Sequence, residues 1–239
     1  MVKEIKFMLE KNKYIKKLLI FIYSNTYGQY EHYKENKNFL KNADSVLVRV
    51  DEVFTELGIE YWLGFGTLLG AYRNGDFLQH DEDLDFGAYL NDYSSNIETV
   101  FNKYGFKKIK DFIIDDGKYG REETYEYLGV QIDVFYFTRK TDTKVYYHDF
   151  MPISGKSRDK TIEELGGLIP RELTLALENI GSINFRGKEY PVPIPTDRHL
   201  ADRYGEDFMV ENKSWSLGKE KNPNIKILTD KIGIRHIYE

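Results

Sequence analysis

Residues 64–87 read "GFGTLLGAYRNGDFLQHDEDLDFG", five glycines and five acidic residues around a short apolar run. Near the end of the stretch Asp83 and Asp85 alternate with Leu84 and Phe86. On a β-strand that period of two sends both aspartates to one face and both apolar side chains to the other. Two carboxylates side by side in front of an apolar layer are oxygen ligands for a hard divalent cation, Mg²⁺ or Mn²⁺, which suits phosphate substrates. A third acid, Asp133, stands alone in "QIDVFYF" (131–137), the most strand-like run of the chain. If that strand lies beside the first, Asp133 joins the pair, and a metal or a proton must offset its burial. The competing reading is a solvated acidic turn. Asp81, Asp83 and Asp85 also match the first three ligand positions of an EF-hand, but Phe86 stands where that loop needs Gly, and Asp92 where it uses Glu.

The glycine turn suggests a second function for the stretch. Gly64 and Gly66 flank a sharp turn after a strand, and Thr67 opens a helix whose free N–H groups face an anion. Arg73 follows, placed to meet a phosphate in bidentate fashion, and His80 and Asp81 complete the candidate substrate-binding set. The plain alternatives are a strand-to-helix turn for the glycines, a surface ion pair for Arg73 and a structural role for His80. Neither a dinucleotide-binding fingerprint nor a P-loop is present, because the third Gly comes one place late and GxxxxGK does not occur.

The 239 residues are 41% apolar and 31% charged, the balance of a folded chain. Nineteen Tyr and fifteen Phe supply a core despite a mean hydropathy of -0.55. A net charge of -5 argues against nucleic acid as a partner. The absence of Cys excludes disulfides, thiol catalysis and Cys-ligated zinc, and fits a reducing, cytoplasmic setting. In "KNKYIKKLLIFIYSNTY" (11–27) basic residues precede an apolar run, Leu18 to Tyr23, far short of the ~20 residues of a spanning helix. No small-residue cleavage site follows it. Residues 11–23 therefore read either as a helix lying on the inner face of a membrane or as one packed on its own domain.

The remainder reads as one α+β unit. Phe39, Ala43, Val46, Leu47, Val50, Val53, Phe54 and Leu57 recur at helical spacing, and Gly58 caps them. "IEYWL" (59–63) and "LDFGAYL" (84–90) read as strands, with "TLLGAYR" (67–73) a short helix or turn between them. "SSNIETVFNKYG" (94–105) reads as a helix with Ser caps at its start and Gly105 at its end. Residues 106–150 read as mostly extended, followed by a mixed segment, a strand at "SINFRGKEYPVPI" (182–194) and a helix at "DRHLADRYG" (197–205). "YGREETYEYLGV" and "KVYYHDF" are either pocket walls or ordinary strands. Lys118 and Arg121 meet either phosphate or solvent.

The stretch 66–87 resembles the signature of the LicD/fukutin family, a branch of the nucleotidyltransferase superfamily. That pattern is a Gly-rich helix start, an Asp-x-Asp on a strand and a further Asp on a neighbouring strand. Here these correspond to Gly64/Gly66, to Asp83 and Asp85, and to Asp133 in "IDVF". "FRGKEYPVPIPTDRHLADRYGEDF" (185–208) is similar to the family's closing segment. Gln79 and His80 stand where the family often has Pro and an aromatic, and Glu82 interrupts its run of aspartates. The resemblance implies an α+β, nucleotidyltransferase-like mixed sheet with flanking helices over residues 36–210. Residues 1–35 would form a basic and apolar extension, and 211–239 a C-terminal one. It further implies a Mg²⁺-dependent enzyme, Asp83, Asp85 and Asp133 holding the metal. Such an enzyme moves phosphocholine, ribitol phosphate or glycerol phosphate from a CDP-linked donor to a sugar hydroxyl of a cell-surface glycan, releasing CMP. Asp133 would complete the metal site or take the acceptor's proton. The rivals are nucleotidyl transfer with release of diphosphate, metal-dependent glycosyl transfer, and a non-catalytic module of glycan assembly.

Overall fold

The apolar stripe ending at Leu57 belongs to a helix longer than the stripe itself. In the computed structural model, which describes residues 29–212, 217–218 and 220–238, α1 spans Gln29–Leu57. Its residues Phe39, Ala43, Val46, Leu47, Val50, Val53 and Phe54 are buried, and Gly58 ends it at φ +63°. Segment 11–23 lies outside the described residues. After α1 come β1 (Tyr61–Leu63), α2 (Phe65–Asn74), β2 (Asp83–Tyr89) and α3 (Asn96–Lys103). Ser95 stands at the N-cap of α3, but its hydroxyl makes no capping bond, so that expected cap is absent.

Residues 107–151 form four strands: β3 (Lys107–Ile114), β4 (Gly120–Tyr127), β5 (Val130–Thr141) and β6 (Lys144–Met151). The run 124–137, extended throughout by pattern, is broken by a two-residue turn at Leu128–Gly129, both at positive φ. The single strand expected at 182–194 is likewise a hairpin, β8 (Asn179–Phe185) and β9 (Lys188–Ile194), turning at Arg186–Gly187 with both residues at positive φ. Two-residue turns of that kind match the twist of the strands they join. The mixed segment resolves into α4 (Arg158–Leu165) and β7 (Ile169–Ala176). α5 (Thr196–Tyr204) follows β9. The last residues return to the main sheet as β10 (Ile225–Ile227) beside β7 and β11 (Ile234–Ile237) beside β3.

The architecture is thus α+β. A nine-stranded mixed sheet runs β10–β7–β6–β5–β4–β3–β11, with β2 joined to β5 and β1 to β2. Among the described residues only the β2–β5 pair is parallel. Leu84 and Phe86 of β2 and Ile132 and Val134 of β5 are fully buried in one cluster with α1 and α3. The alternating partners on those strands therefore look out from the opposite face. Among the described residues no helix is long and apolar enough to cross a membrane.

Gly87, opposite Trp62 in the β1–β2 ladder, shows how closely this unit is packed: a Cβ there would stand 2.2 Å from Trp62 Nε1. Trp62 is wholly buried and has no room to retreat. Gly87→Ala is expected to cost about 1–3 kcal/mol of stability by overpacking. Urea unfolding checks this, and a midpoint equal to that of the wild type would refute it.

Candidate metal and phosphate-transfer site

Main-chain pairing brings the parts of the site together. Leu63 pairs with Phe86, and the Gly64 N–H donates to the Asp85 carbonyl at 2.9 Å, so α2 begins beside Asp85. The turn into α2 holds Phe65 at φ +38°, a left-handed value that a residue with a large ring rarely adopts. The Gly66 N–H then donates to Asp85 Oδ2 at 3.0 Å, while the Asp85 N–H donates to Thr67 Oγ1 at 2.9 Å. A Cβ on Gly66 would lie 3.3 Å from Asp85 Oδ2, a tight approach that glycine avoids. In the parallel ladder Asp85 lies level with Asp133. Thr124, level with Asp133 on the other side, donates its hydroxyl to Asp133 Oδ1. Asp83, Asp85 and Asp133 offer carboxylate oxygens within 4.8 Å of one another. The three aspartates singled out in the sequence do converge.

Their electrostatics follow from burial and proximity. Burial, then the charges of Asp133 and Glu82, pushes Asp83 up to about 6. Burial, then the charges of Asp83, Asp133 and Asp81, raises Asp85 well above the usual carboxylate range; burial also raises Asp133. Burial pushes Asp81 up to about 7 against the bond it accepts from the Leu78 N–H. Carboxylates packed this way stay ionised together only with positive charge among them. An all-oxygen set of this kind fits a hard cation, Mg²⁺ or Mn²⁺.

The remaining candidates take other places. The helix start at Gly64, Gly66 and Thr67 faces the Asp85 carboxylate rather than an incoming phosphate, because a helix N-terminus takes the nearest anion and the chain supplies one. Thr67 is buried, its hydroxyl engaged by Asp85. Arg73 lines the cavity, but its Nε and Nη2 donate to the Phe208 carbonyl, and Nη2 also reaches the Val210 carbonyl at 3.3 Å. His80 is exposed and lines the cavity. Arg121 lies among buried acids, 3.2 Å from Glu123, with its guanidinium 3.8 Å from the centre of the Tyr93 ring. Lys118 is exposed and does not line the cavity.

The three aspartates open into a cavity of about 1120 Å³. Among the described residues eight carboxylates and five cationic side chains line it, so its own charge favours a cation. Among the lining residues not singled out in the sequence are Lys110, Glu122, Arg158 and Arg203. Burial, then the charge of Asp133, pushes Glu122 up to about 8, while Lys110 and Arg158 oppose the shift. Lys110, paired with Thr124, and Glu122, paired with Phe112, share one face of β3 and β4, a placement set by strand pairing and not marked by any pattern in the sequence.

Residues 58–194 match the family model described as LicD/FKTN/FKRP, nucleotidyltransferase domain. The chain is 27% identical over 194 residues to the ribitol-5-phosphate transferase FKTN of Homo sapiens, covering 79% of this chain and 37% of that protein. The ribitol 5-phosphate transferase FKRP of Homo sapiens is 50% identical over 40 residues, 17% of this chain and 8% of that protein. An uncharacterised protein of Rickettsia typhi is 26% identical over 122 residues, 50% of this chain and 36% of that protein. The chain thus aligns with little more than a third of the length of FKTN.

The crowded carboxylates set a pH dependence. Asp83, raised from 3.8 to about 6, binds its proton more tightly folded than unfolded. Its charge therefore costs stability as pH rises through that window and costs most above it. In EDTA, Asp83→Asn is expected to melt above the wild type at pH 8, by a margin that vanishes toward pH 4. Mg²⁺ is expected to raise the wild type and to close the gap at pH 8. Identical melting curves in EDTA at pH 8 would contradict this account.

Proposed function

The chain belongs to the LicD/FKTN/FKRP family, and from that premise we propose that it is a metal-dependent transferase for phosphoalditols, ribitol phosphate foremost among them. The donor is a CDP-linked alditol, the acceptor a sugar hydroxyl of a glycan, and the leaving group CMP. The observation that carries this reading is the Asp83–Asp85–Asp133 cluster, opening into a cavity large enough for a nucleotide-linked donor. The names of FKTN and FKRP, both ribitol-phosphate transferases, support the choice of alditol. In this reading the mixed sheet with its three acids is a nucleotidyltransferase-like scaffold.

Asp83, Asp85 and Asp133 would hold Mg²⁺ or Mn²⁺, which when bound neutralises charge on the donor's diphosphate. The Gly66 N–H and the Thr124 hydroxyl fix the Asp85 and Asp133 carboxylates that do this. The acceptor's oxygen attacks the phosphorus that carries the alditol, forming the new P–O bond. The bond from that phosphorus to the bridging oxygen breaks, and CMP leaves with the electron pair. Glu122 takes the hydroxyl proton; burial raises its proton affinity, so its ionised form is a stronger base than an ordinary carboxylate.

Incubation with Mg²⁺, a glycan acceptor and CDP-ribitol, CDP-glycerol or CDP-choline, followed by assay of CMP, tests the reading. CMP is expected from CDP-ribitol, with EDTA abolishing it and Asp85→Asn lowering it by about a hundredfold or more. Glu122→Gln is expected to lower kcat while leaving KM for the donor nearly unchanged. Release of diphosphate in place of CMP would overturn phosphoalditol transfer in favour of nucleotidyl transfer. CMP from CDP-choline alone would overturn the choice of alditol.

A further inference from the structure

The helix start and Arg73, which the sequence offers as phosphate-binding groups, are engaged within the protein. The start of α2 is taken by Asp85, and Arg73 by two backbone carbonyls. Arg235, also at the cavity, is paired with Asp159 at 3.0 Å. Two cations of the cavity wall differ from these. The side chains of Lys110 and Arg158 make no hydrogen bond and no ion pair within 4 Å to any described residue.

Both are placed toward the reacting centre. Lys110 on β3 is level with Thr124 on β4, which is level with Asp133 on β5, so one row across the sheet leads from the lysine to the carboxylate cluster. Arg158 opens α4, with its guanidinium 5.9 Å from the centre of the Phe112 ring, and Phe112 is the register partner of Glu122. The charges of Lys110 and Arg158 act on both Glu122 and Asp133. Cations that served only to neutralise these acids would close onto them as ion pairs. They stop short of ion-pair distance, and both line the same cavity as the aspartates.

We propose that Lys110 and Arg158 form an anion clamp for the donor's distal phosphate, the one transferred to the acceptor. The assignment of distal over proximal rests on the phosphoalditol-transfer reading: Glu122 receives the acceptor's proton, the attacking oxygen lies against the phosphorus it attacks, and the cations nearest Glu122 therefore face that phosphate. Arg158 offers a planar fork for two phosphate oxygens, and Lys110 a point charge beside it.

Calorimetric titration in Mg²⁺ without acceptor tests the clamp, with CDP-ribitol, CMP and inorganic diphosphate as probes. The proteins are wild type, Lys110→Met, Arg158→Gln, the double variant and Lys110→Arg, with Mn²⁺ affinity and melting temperature measured alongside to show an intact carboxylate site. Each neutral variant is expected to lose about tenfold in affinity for CDP-ribitol and for inorganic diphosphate, the size expected for a charged hydrogen bond. The double variant should lose more, Lys110→Arg should recover most of the loss, and CMP should bind all of them within about twofold. Unchanged CDP-ribitol and diphosphate affinity in the double variant would overturn the clamp, as would an equal loss for CMP. So would wild-type protein that binds neither CDP-ribitol nor diphosphate. Wild type that binds diphosphate through Lys110 and Arg158 but ignores CDP-ribitol would keep the clamp and overturn the donor.

Discussion

The parallel pairing of β2 with β5 sets Asp85 level with Asp133, and the rest of the site depends on that register. Left to electrostatics the two strands would slide apart, since three carboxylates meet where they touch. What holds them is the other face. Leu84 and Phe86 on one strand and Ile132 and Val134 on the other are fully buried, and a slip of one residue would exchange them with the acids. Each buried side chain of this size is worth about 1.5–3 kcal/mol, so the slip would lose several of them and bury charge besides. Apolar packing on one side thus imposes the repulsion on the other, and a bound cation would convert that repulsion into ligation.

α1 fixes the ends of the same two strands. Asn36 donates to the carbonyls of Gln79 and Asp81, in the loop that leads into β2. Asn38 donates to the carbonyls of Leu128 and Gly129, in the turn that leads into β5, and Asn42 reaches Leu128 as well. One helix edge therefore restrains the loops that lead into both acid-bearing strands, while its apolar edge packs beneath them. The polar positions of α1 look like ordinary solvated residues in the sequence. Only the loops that fold back onto them give them partners.

That contrast explains what could be read in advance. The period of two in "DLDF" and the lone acid in "IDVF" are local signals, and local geometry is enough to aim those side chains. The α+β character and most element positions followed from the same kind of pattern. Leu128–Gly129 escaped because Leu is no turn residue, and only the pairing of β4 with β5 forces it to positive φ. Arg186 hid the β8–β9 hairpin for the same reason. The helix start at Gly66 was legible as an anion site, but which anion fills it depends on β1 pairing with β2, a contact the sequence does not spell out. Lys110, Glu122 and Arg158 were invisible as site residues because their membership depends on strand order across β3, β4 and β5.

Charge in the cavity is sorted by element. The carboxylates that would ligate a cation stand on β2 and β5, the cations proposed to meet a phosphate stand on β3 and at the start of α4, and Glu122 stands on β4, between β3 and β5 in the sheet. With carboxylates outnumbering cations, the cavity repels a diphosphate once its acids are ionised, and Lys110 and Arg158 alone do not reverse that sign. A divalent ion held among the three aspartates would reverse it locally and so favour the phosphates of the proposed donor. Ion and donor on this reading bind as a coupled pair, each raising the affinity for the other by the same factor. The raised proton affinities of Asp83, Asp85 and Asp133 express the same coupling from the side of the protein. Protons and metal compete for one set of oxygens, and the chain has placed those oxygens too close together to hold neither.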